Sequence, residues 1–274
     1  MSDIVLSQGV RSNLLELQQT STLITRTQER LATGRRVNSA LDDPINFFTA
    51  QSLSVRANDL NSLLDSMSTA INTIQAANNG ISSITKLVQS AQALASQAQQ
   101  SSDTTVKATL AAQFDELLTQ IGTLASDSGI NGVNLIGGNN LTITLNETGS
   151  STVTVSSVNY TNASSNTGLN IATATGNWAT AGDISNAANS LTVALTTLRS
   201  QSQSLSSSLQ TVQVRQEFTK AMINTLQTGA DNLTLADSNE EGANLLALQT
   251  RQQLSTTALS LAAQADQNVL RLFQ

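Results

Sequence analysis

From Ile45 to about Gln100 the chain keeps one helical pattern through Leu53, Leu60, Leu63, Leu64, Met67, Ile71, Ile74, Ile81, Ile84, Leu87, Val88, Ala91 and Leu94. The chain has a single proline, Pro44, which stands just ahead of this segment where a first helical turn tolerates it. Roughly 55 residues of α-helix reach about 80 Å. A compact globule of 274 residues has a radius of gyration of only ~19 Å. A helix of that length does not fit inside such a globule, so the pattern predicts an elongated, rod-like chain.

The two ends carry a second pattern. Val10, Leu17, Ile24 and Leu31 recur every seven residues, with Leu14 beside them, and Leu254, Ala258, Leu261, Ala265, Val269 and Leu272 form a comparable stripe near the other terminus. Such a repeat keeps an apolar seam facing a partner helix. Both segments are thin in large apolar residues, and isolated helices gain little from propensity alone, so the ends are expected to need partners.

Composition narrows the chemistry. Apolar residues make up 39% and aromatic residues 3% of the chain, poor material for a thick globular core. The surplus of Ser, Thr, Asn and Gln still alternates with apolar residues at helical spacing, so the polar residues read as solvated or neighbour-facing helix sides. A net charge of −6 without a basic stripe argues against a nucleic-acid partner, because such binding rests on clustered Lys and Arg. The chain contains no Cys and no His, which removes disulfides, thiolate sites, the commonest metal ligand and the usual proton carrier at physiological pH. No cofactor is expected. The opening Met1-Ser2-Asp3-Ile4-Val5-Leu6 lacks the basic and apolar regions of a secretory signal. No apolar run approaches the ~18 residues of a membrane span. The polar faces of the terminal helices are dominated by Gln, Ser and Thr rather than by Lys and Arg, so no membrane partner is expected either.

Along the chain, the first helix is expected to end near Thr33, with Gly34 as a helix stop or a linker bend. Asp42 and Asp43 precede Pro44 as capping carboxylates. Ser101-Ser102-Asp103 marks a turn and a cap, after which Val106, Leu110, Phe114, Leu117, Leu118, Ile121 and Leu124 define a helix running back antiparallel. Ile130-Asn131-Gly132-Val133 is a tight-turn signal. Leu141, Ile143 and Leu145, then Val153 and Val155, switch the period to two and predict a hairpin with its loop at 146–150. Thr161 to Trp178 reads as a polar connection. Asp183 opens a further helix through Leu191, Leu195, Leu198, Leu205, Leu209, Val212, Phe218, Met222 and Leu226, with joints expected at Thr228-Gly229-Ala230-Asp231 and at Asp237-Ser238-Asn239-Glu240-Glu241-Gly242. Asp42/Asp43 and Glu240/Glu241 suit helix capping better than a metal cage, since no calcium-loop spacing accompanies them. Arg30, Arg35 and Arg36 lack phosphate-loop spacing and are expected to pair with carboxylates.

The run from Glu29 through Arg30-Leu31-Ala32-Thr33-Gly34-Arg35-Arg36-Val37-Asn38-Ser39-Ala40-Leu41-Asp42-Asp43-Pro44 and the closing Asn268-Val269-Leu270-Arg271-Leu272-Phe273-Gln274 resemble the terminal regions of bacterial flagellin. The resemblance covers roughly the first 136 and last 90 residues and leaves only the middle unmatched. The small insertion is similar to that of the short, alphaproteobacterial type. Pro44-Ile45-Asn46 departs from the Ala-Ala-Gly that many flagellins carry after the two Asp residues.

What the resemblance implies is a mainly α fold: an elongated antiparallel helical rod, a terminal coiled coil formed by the N- and C-terminal helices, and a small β-rich central insertion. Residues 1–41 and 229–274 would form the terminal coiled-coil domain lining the filament core, 42–138 and 182–228 the helical rod, and 139–181 a variable surface segment. The implied role is a non-enzymatic structural subunit that self-assembles into the extracellular flagellar filament for motility. Val10, Leu14, Leu17, Ile24, Leu31, Leu254, Ala258, Leu261, Ala265, Val269 and Leu272 would be its self-assembly residues. Implied partners are other flagellin subunits, an export chaperone, the type III flagellar export apparatus, and filament cap and hook-junction proteins. A hook-filament junction protein is the nearest alternative. A carboxylate hydrolase would need a convergent polar pocket that the spacing does not suggest. Some flagellins are read by an innate immune receptor through an Arg-containing segment. The comparable stretch here, Ser83 to Leu94, has no Arg, so that site is not implied.

Overall fold

The protein is described from a computed structural model in which residues 8–272 are defined. Among them the elements run α1 Gln8–Thr33, α2 Pro44–Gln100, α3 Thr104–Asp127, β1 Leu141–Thr144, β2 Thr152–Val155, a single turn at Thr175–Trp178, α4 Ala181–Thr234 and α5 Ser238–Leu272. The fold is mainly α with a small antiparallel hairpin, as the periodicities predict. The chain divides into two units: Met1–Arg56 with Thr225–Gln274, and Ala57–Asn224.

The second unit is built on a heptad. Along α2, Met67, Ala70, Ile74, Ala77, Ile81, Ile84, Val88, Ala91, Ala95 and Ala98 are all buried, in steps alternating three and four residues. That spacing keeps one stripe inward along the helix. On α4 the buried Ile184, Ala187, Leu191, Ala194, Leu198, Leu205 and Val212 continue the same rhythm and share the core with it. Polar side chains fix how these two stripes meet. Asn78 Oδ1 accepts from Ser202 Oγ at 2.8 Å, and Gln216 Nε2 donates to Ser68 Oγ at 2.9 Å. The helix α3 turns back on α2 after a three-residue break, its first turn capped by Asp103 Oδ1 accepting from Thr105 N at 2.7 Å.

Beyond α3, Asn131 and Gly132 adopt φ of 51° and 79°. Ile130 and Val133 exchange both backbone hydrogen bonds at 3.0 and 2.9 Å. Left-handed residues at both central positions are what a two-residue hairpin loop demands. The strands pair Leu141 with Val155 and Ile143 with Val153, so their alternation turns Ile143, Leu145 and Val155 into the core and leaves Thr142 and Thr154 outside.

Two expectations are corrected. The stretch Thr161 to Trp178 is no loose polar connection, since Ala163, Leu169, Ile171 and Trp178 are buried, and Trp178 packs on Phe114 with ring centres 4.9 Å apart. The segment has no regular period because it is held by scattered anchors, among them Ile171 N donating to Ala163 O at 2.9 Å and Ala174 N donating to Asp115 Oδ1 at 3.0 Å. Thr228–Asp231 is also not a joint, because α4 runs through it to Thr234. Gly229 lies so near α2 that an added Cβ would meet Leu53 Cδ1 at 3.4 Å. That is ordinary van der Waals contact, which a small side chain could make, and the hydrogen-bond ladder continues through the glycine.

Gly122 on α3, by contrast, is a point of close backbone approach. A Cβ at this position would collide with the backbone carbonyl oxygen of Thr161. On an open helix, Gly→Ala gains about 1 kcal/mol. Here Gly122→Ala is expected to reverse sign and cost about 1–3 kcal/mol through overpacking, read as a lower denaturant midpoint at unchanged slope.

Candidate assembly surface

The first unit is organised by the packing of α1 against α5. On α1 a stripe of buried or half-buried positions, Val10, Asn13, Leu17, Thr20, Ile24, Thr27 and Leu31, again steps by three and four, with half-buried Arg30 beside its end. On α5 the corresponding stripe is Glu241, Leu245, Leu248, Gln252, Ser255, Leu259 and Ala262, with half-buried Gly242 beside its start. These are two heptad seams. Polar residues occupy alternate positions of the α1 seam, where Thr20 and Thr27 are 2% and 7% exposed. Polar seam positions fix register at a cost in stability.

Register is set at the junction between helices. Gly34, at φ 68°, ends α1. Arg36 N and Val37 N donate to Thr234 O at 2.7 and 3.2 Å, and Ala236 N donates to Gly34 O at 3.0 Å. One turn away, Arg30 Nη1 meets Glu241 Oε1 at 2.8 Å, joining the last turn of α1 to the first turn of α5, so the two helices run antiparallel. Their side chains are 23% and 9% exposed. Removing one partner of this partly desolvated pair would leave the other charge uncompensated and is costly.

The Arg30 expectation thus resolves to a named carboxylate. The capping expectation for Glu240/Glu241 is corrected: Asp237 Oδ1 accepts from the backbone N–H of Asn239 at 2.8 Å and of Glu240 at 3.3 Å, which frees Glu241 to face Arg30. The two Asp residues before Pro44 divide their work. Asp43 caps α2 by accepting from Asn46 N at 3.1 Å. Asp42 Oδ2 instead gathers the N–H groups of Ser39 and Asn38, at 3.0 and 3.1 Å, and the Ser39 hydroxyl. Those donors, led by the Ser39 and Asn38 amides, hold its carboxyl below the ordinary 3.8. A depressed folded value means the contribution is present above pH 3.8 and is lost as pH falls through the lowered value. Asp42→Ala is therefore expected to remove hydrogen-exchange protection of the Asn38 and Ser39 amides at neutral pH. The unaltered chain should lose that protection only in acid below 3.8.

The structure separates the sequence-predicted assembly residues into two groups. Val10, Leu17, Ile24 and Leu31 lie on the seam that faces α5 within the chain. Leu14 is 38% exposed and lies outside that seam. On α5, Leu254 and Leu261 are 67% and 62% exposed, and Ala258 and Ala265 are exposed between and beyond them. The side chains of Val269 and Leu272 lie outside the described residues, as do Phe273, Gln274 and the opening Met1 to Leu6. The α5 stripe is thus a different face from the one that holds α1. Leu15, Leu23 and Leu246 add exposed apolar surface to the same pair. The seam residues Leu245, Leu248 and Leu259 were not anticipated, although their three- and four-residue steps are present in the sequence.

No helix among the described residues is long and apolar enough to cross a membrane. No group of three or more potential metal ligands gathers among them. A cleft of about 550 Å³ in the second unit, beside Gly122 and Thr161, has Asp115 as its one ionisable lining residue, and that carboxylate accepts from Ala174 N.

Comparison with known proteins covers both units of the chain. The bacterial flagellin N-terminal helical region matches residues 7–141. Over 281 aligned residues the chain is 31% identical to flagellin FljM of Caulobacter vibrioides, covering 100% of this chain and 99% of that relative. It is 25% identical to a flagellin of Brucella melitensis, with both chains fully covered. Flagellin A of Rhizobium meliloti shares 42% identity over 81 residues, 30% of this chain and 20% of its own length.

Proposed function

The chain belongs to the bacterial flagellin family, a family of flagellar filament structural proteins, and on that premise we propose that it self-assembles into a filament that serves motility. The observation that carries the assembly step is the outward apolar stripe of Leu254, Ala258, Leu261 and Ala265 on α5, a helix whose other seam is already occupied by α1. Exposed apolar stripes of this kind mark association surfaces. A surface that meets a different surface on the next copy generates an open helical polymer when the rotation between copies does not close into a ring.

In this reading residues 1–41 and 229–274 line the filament core, 42–138 and 182–228 form the surrounding helical layer, and 139–181 contribute a small outer surface. The alternate polar layers of the α1–α5 seam leave that pair weak alone, so neighbouring copies supply the burial that completes its ordering. Export through the type III flagellar apparatus with a chaperone, and contacts with cap and hook-junction proteins, belong to the same proposal.

The test is seeded growth. Purified full-length protein added to short native filament fragments at physiological salt should extend them into long regular tubes, seen by negative-stain electron microscopy. Persistent monomers, under conditions where a control flagellin elongates, would move the reading to a hook-filament junction protein.

A further inference from the structure

We propose that Asn131 is a site of spontaneous deamidation, set apart by the fold from the chain's other Asn-Gly pair. Two such pairs occur, Asn79-Gly80 and Asn131-Gly132. Asn followed by Gly is open to intramolecular attack because glycine places no side chain beside the amide nitrogen and leaves the backbone free to rotate.

The structure treats the pairs oppositely. Asn79-Gly80 lies in the middle of α2, with its backbone committed to helical hydrogen bonding. Gly80 is also enclosed: an added Cβ would collide with Ser128 and would meet Ile136 Cδ1 at 2.8 Å. Asn131-Gly132 occupies an exposed two-residue turn, and nothing lies within 4 Å of where a Gly132 Cβ would stand. Neither the Asn131 side chain nor the Gly132 N–H has a hydrogen-bond partner among the described residues. The turn is closed by only the two bonds between Ile130 and Val133, so a local fluctuation releases it, whereas α2 must unfold over several turns to free Gly80.

When the turn opens, the deprotonated Gly132 backbone nitrogen attacks Asn131 Cγ. The Cγ–Nδ2 bond breaks, ammonia leaves, and a five-membered succinimide forms. Water then adds to one of its two carbonyls and opens the ring to aspartate or isoaspartate, so the net change is hydrolysis of one amide to a carboxylate. The isoaspartyl form inserts an extra backbone carbon into a turn that needs left-handed residues at both positions. Three residues on, Asn134 Nδ2 donates to Ala125 O and Ser126 O at 2.7 and 3.0 Å, so the same loop holds the end of α3.

The experiment is peptide mapping of the full chain during incubation in mildly alkaline buffer, following the conversion of amide to acid at each pair, once folded and once in concentrated urea. In the folded protein Asn131 is expected to react about tenfold faster than Asn79 or more, the equivalent of ~1.4 kcal/mol in opening free energy. In urea the two rates should converge. Asn131→Gln should remove the folded-state product and leave the helical circular dichroism unchanged. Comparable rates at the two sites in the folded protein would overturn the proposal. So would an unmodified Asn131 in the folded chain when both sites react in urea.

Discussion

Replacing Leu254 and Leu261 together with Gln is expected to leave the monomer folded and to abolish elongation of filament seeds. Both side chains are more than half exposed in the single chain and lie off the seam that holds α1. Surface substitutions away from special features shift stability by only about 0.5 kcal/mol either way, and Gln keeps good helix propensity. In an assembly that covers the stripe, each leucine contributes about 1.5–3 kcal/mol on burial. Losing about 3 kcal/mol or more per subunit raises the concentration needed for growth by roughly 100-fold. The paired measurement is thermal unfolding of the monomer, expected to be unchanged, with the critical concentration for seeded growth. A double variant that elongates normally would place the assembly surface elsewhere.

The second large effect concerns Trp178. This residue ends a short turn in which Gly176, Asn177 and Trp178 all have positive φ, at 58°, 51° and 57°. A left-handed conformation costs an L-residue roughly 1–2 kcal/mol, so the segment is held by what Trp178 buries against Phe114 and the surrounding core. Trp178→Ala removes that anchor and is expected to cost about 3–5 kcal/mol. For a unit of this size that corresponds to a melting point lower by ~10 °C. Trp178→Phe keeps most of the ring contact, and the indole N–H it deletes is buried without a hydrogen-bond partner, so its cost should stay below about 1.5 kcal/mol. The comparison of the two variants separates ring packing from hydrogen bonding. Tyr160 of the same core is in a similar position: its hydroxyl is buried without a partner, and burial pushes its pKa up to about 12.

Much of this architecture is legible in the sequence because it rests on period. The α2 stripe from Met67 to Ala98, the cap at Asp103, the Asn131-Gly132 turn and the alternation of Ile143, Leu145, Val153 and Val155 are local rules, and tertiary structure reinforces each of them. The face of α5 that meets α1 is a different matter. Hydropathy favours Leu254, Ala258, Leu261 and Ala265. The seam runs instead through Leu245, Leu248, Gln252, Ser255, Leu259 and Ala262, two of them polar. Both sets satisfy helical spacing, and which one turns toward α1 is decided by the long-range clasp of Gly34, Arg36 and Val37 on Thr234 and Ala236, with Arg30 on Glu241. Periodicity along one helix carries no information about such a clasp. The same limit hides the burial of Leu169, Ile171 and Trp178, whose anchors are irregularly spaced and whose partners lie on other elements. The lone tryptophan was the available signal, because a residue so large in an aromatic-poor chain is rarely left in a solvated loop.

The natural absence of cysteine makes the central claim directly measurable. Ala258→Cys places one thiol on the exposed α5 stripe, and Asn139→Cys places one in the segment assigned to the outer surface. The measurement is the rate of maleimide labelling of each variant as monomer and after seeded growth. If the stripe is covered by neighbouring copies, Cys at position 258 becomes strongly protected in the filament and Cys at position 139 stays reactive. Equal labelling of position 258 in monomer and filament would contradict the account.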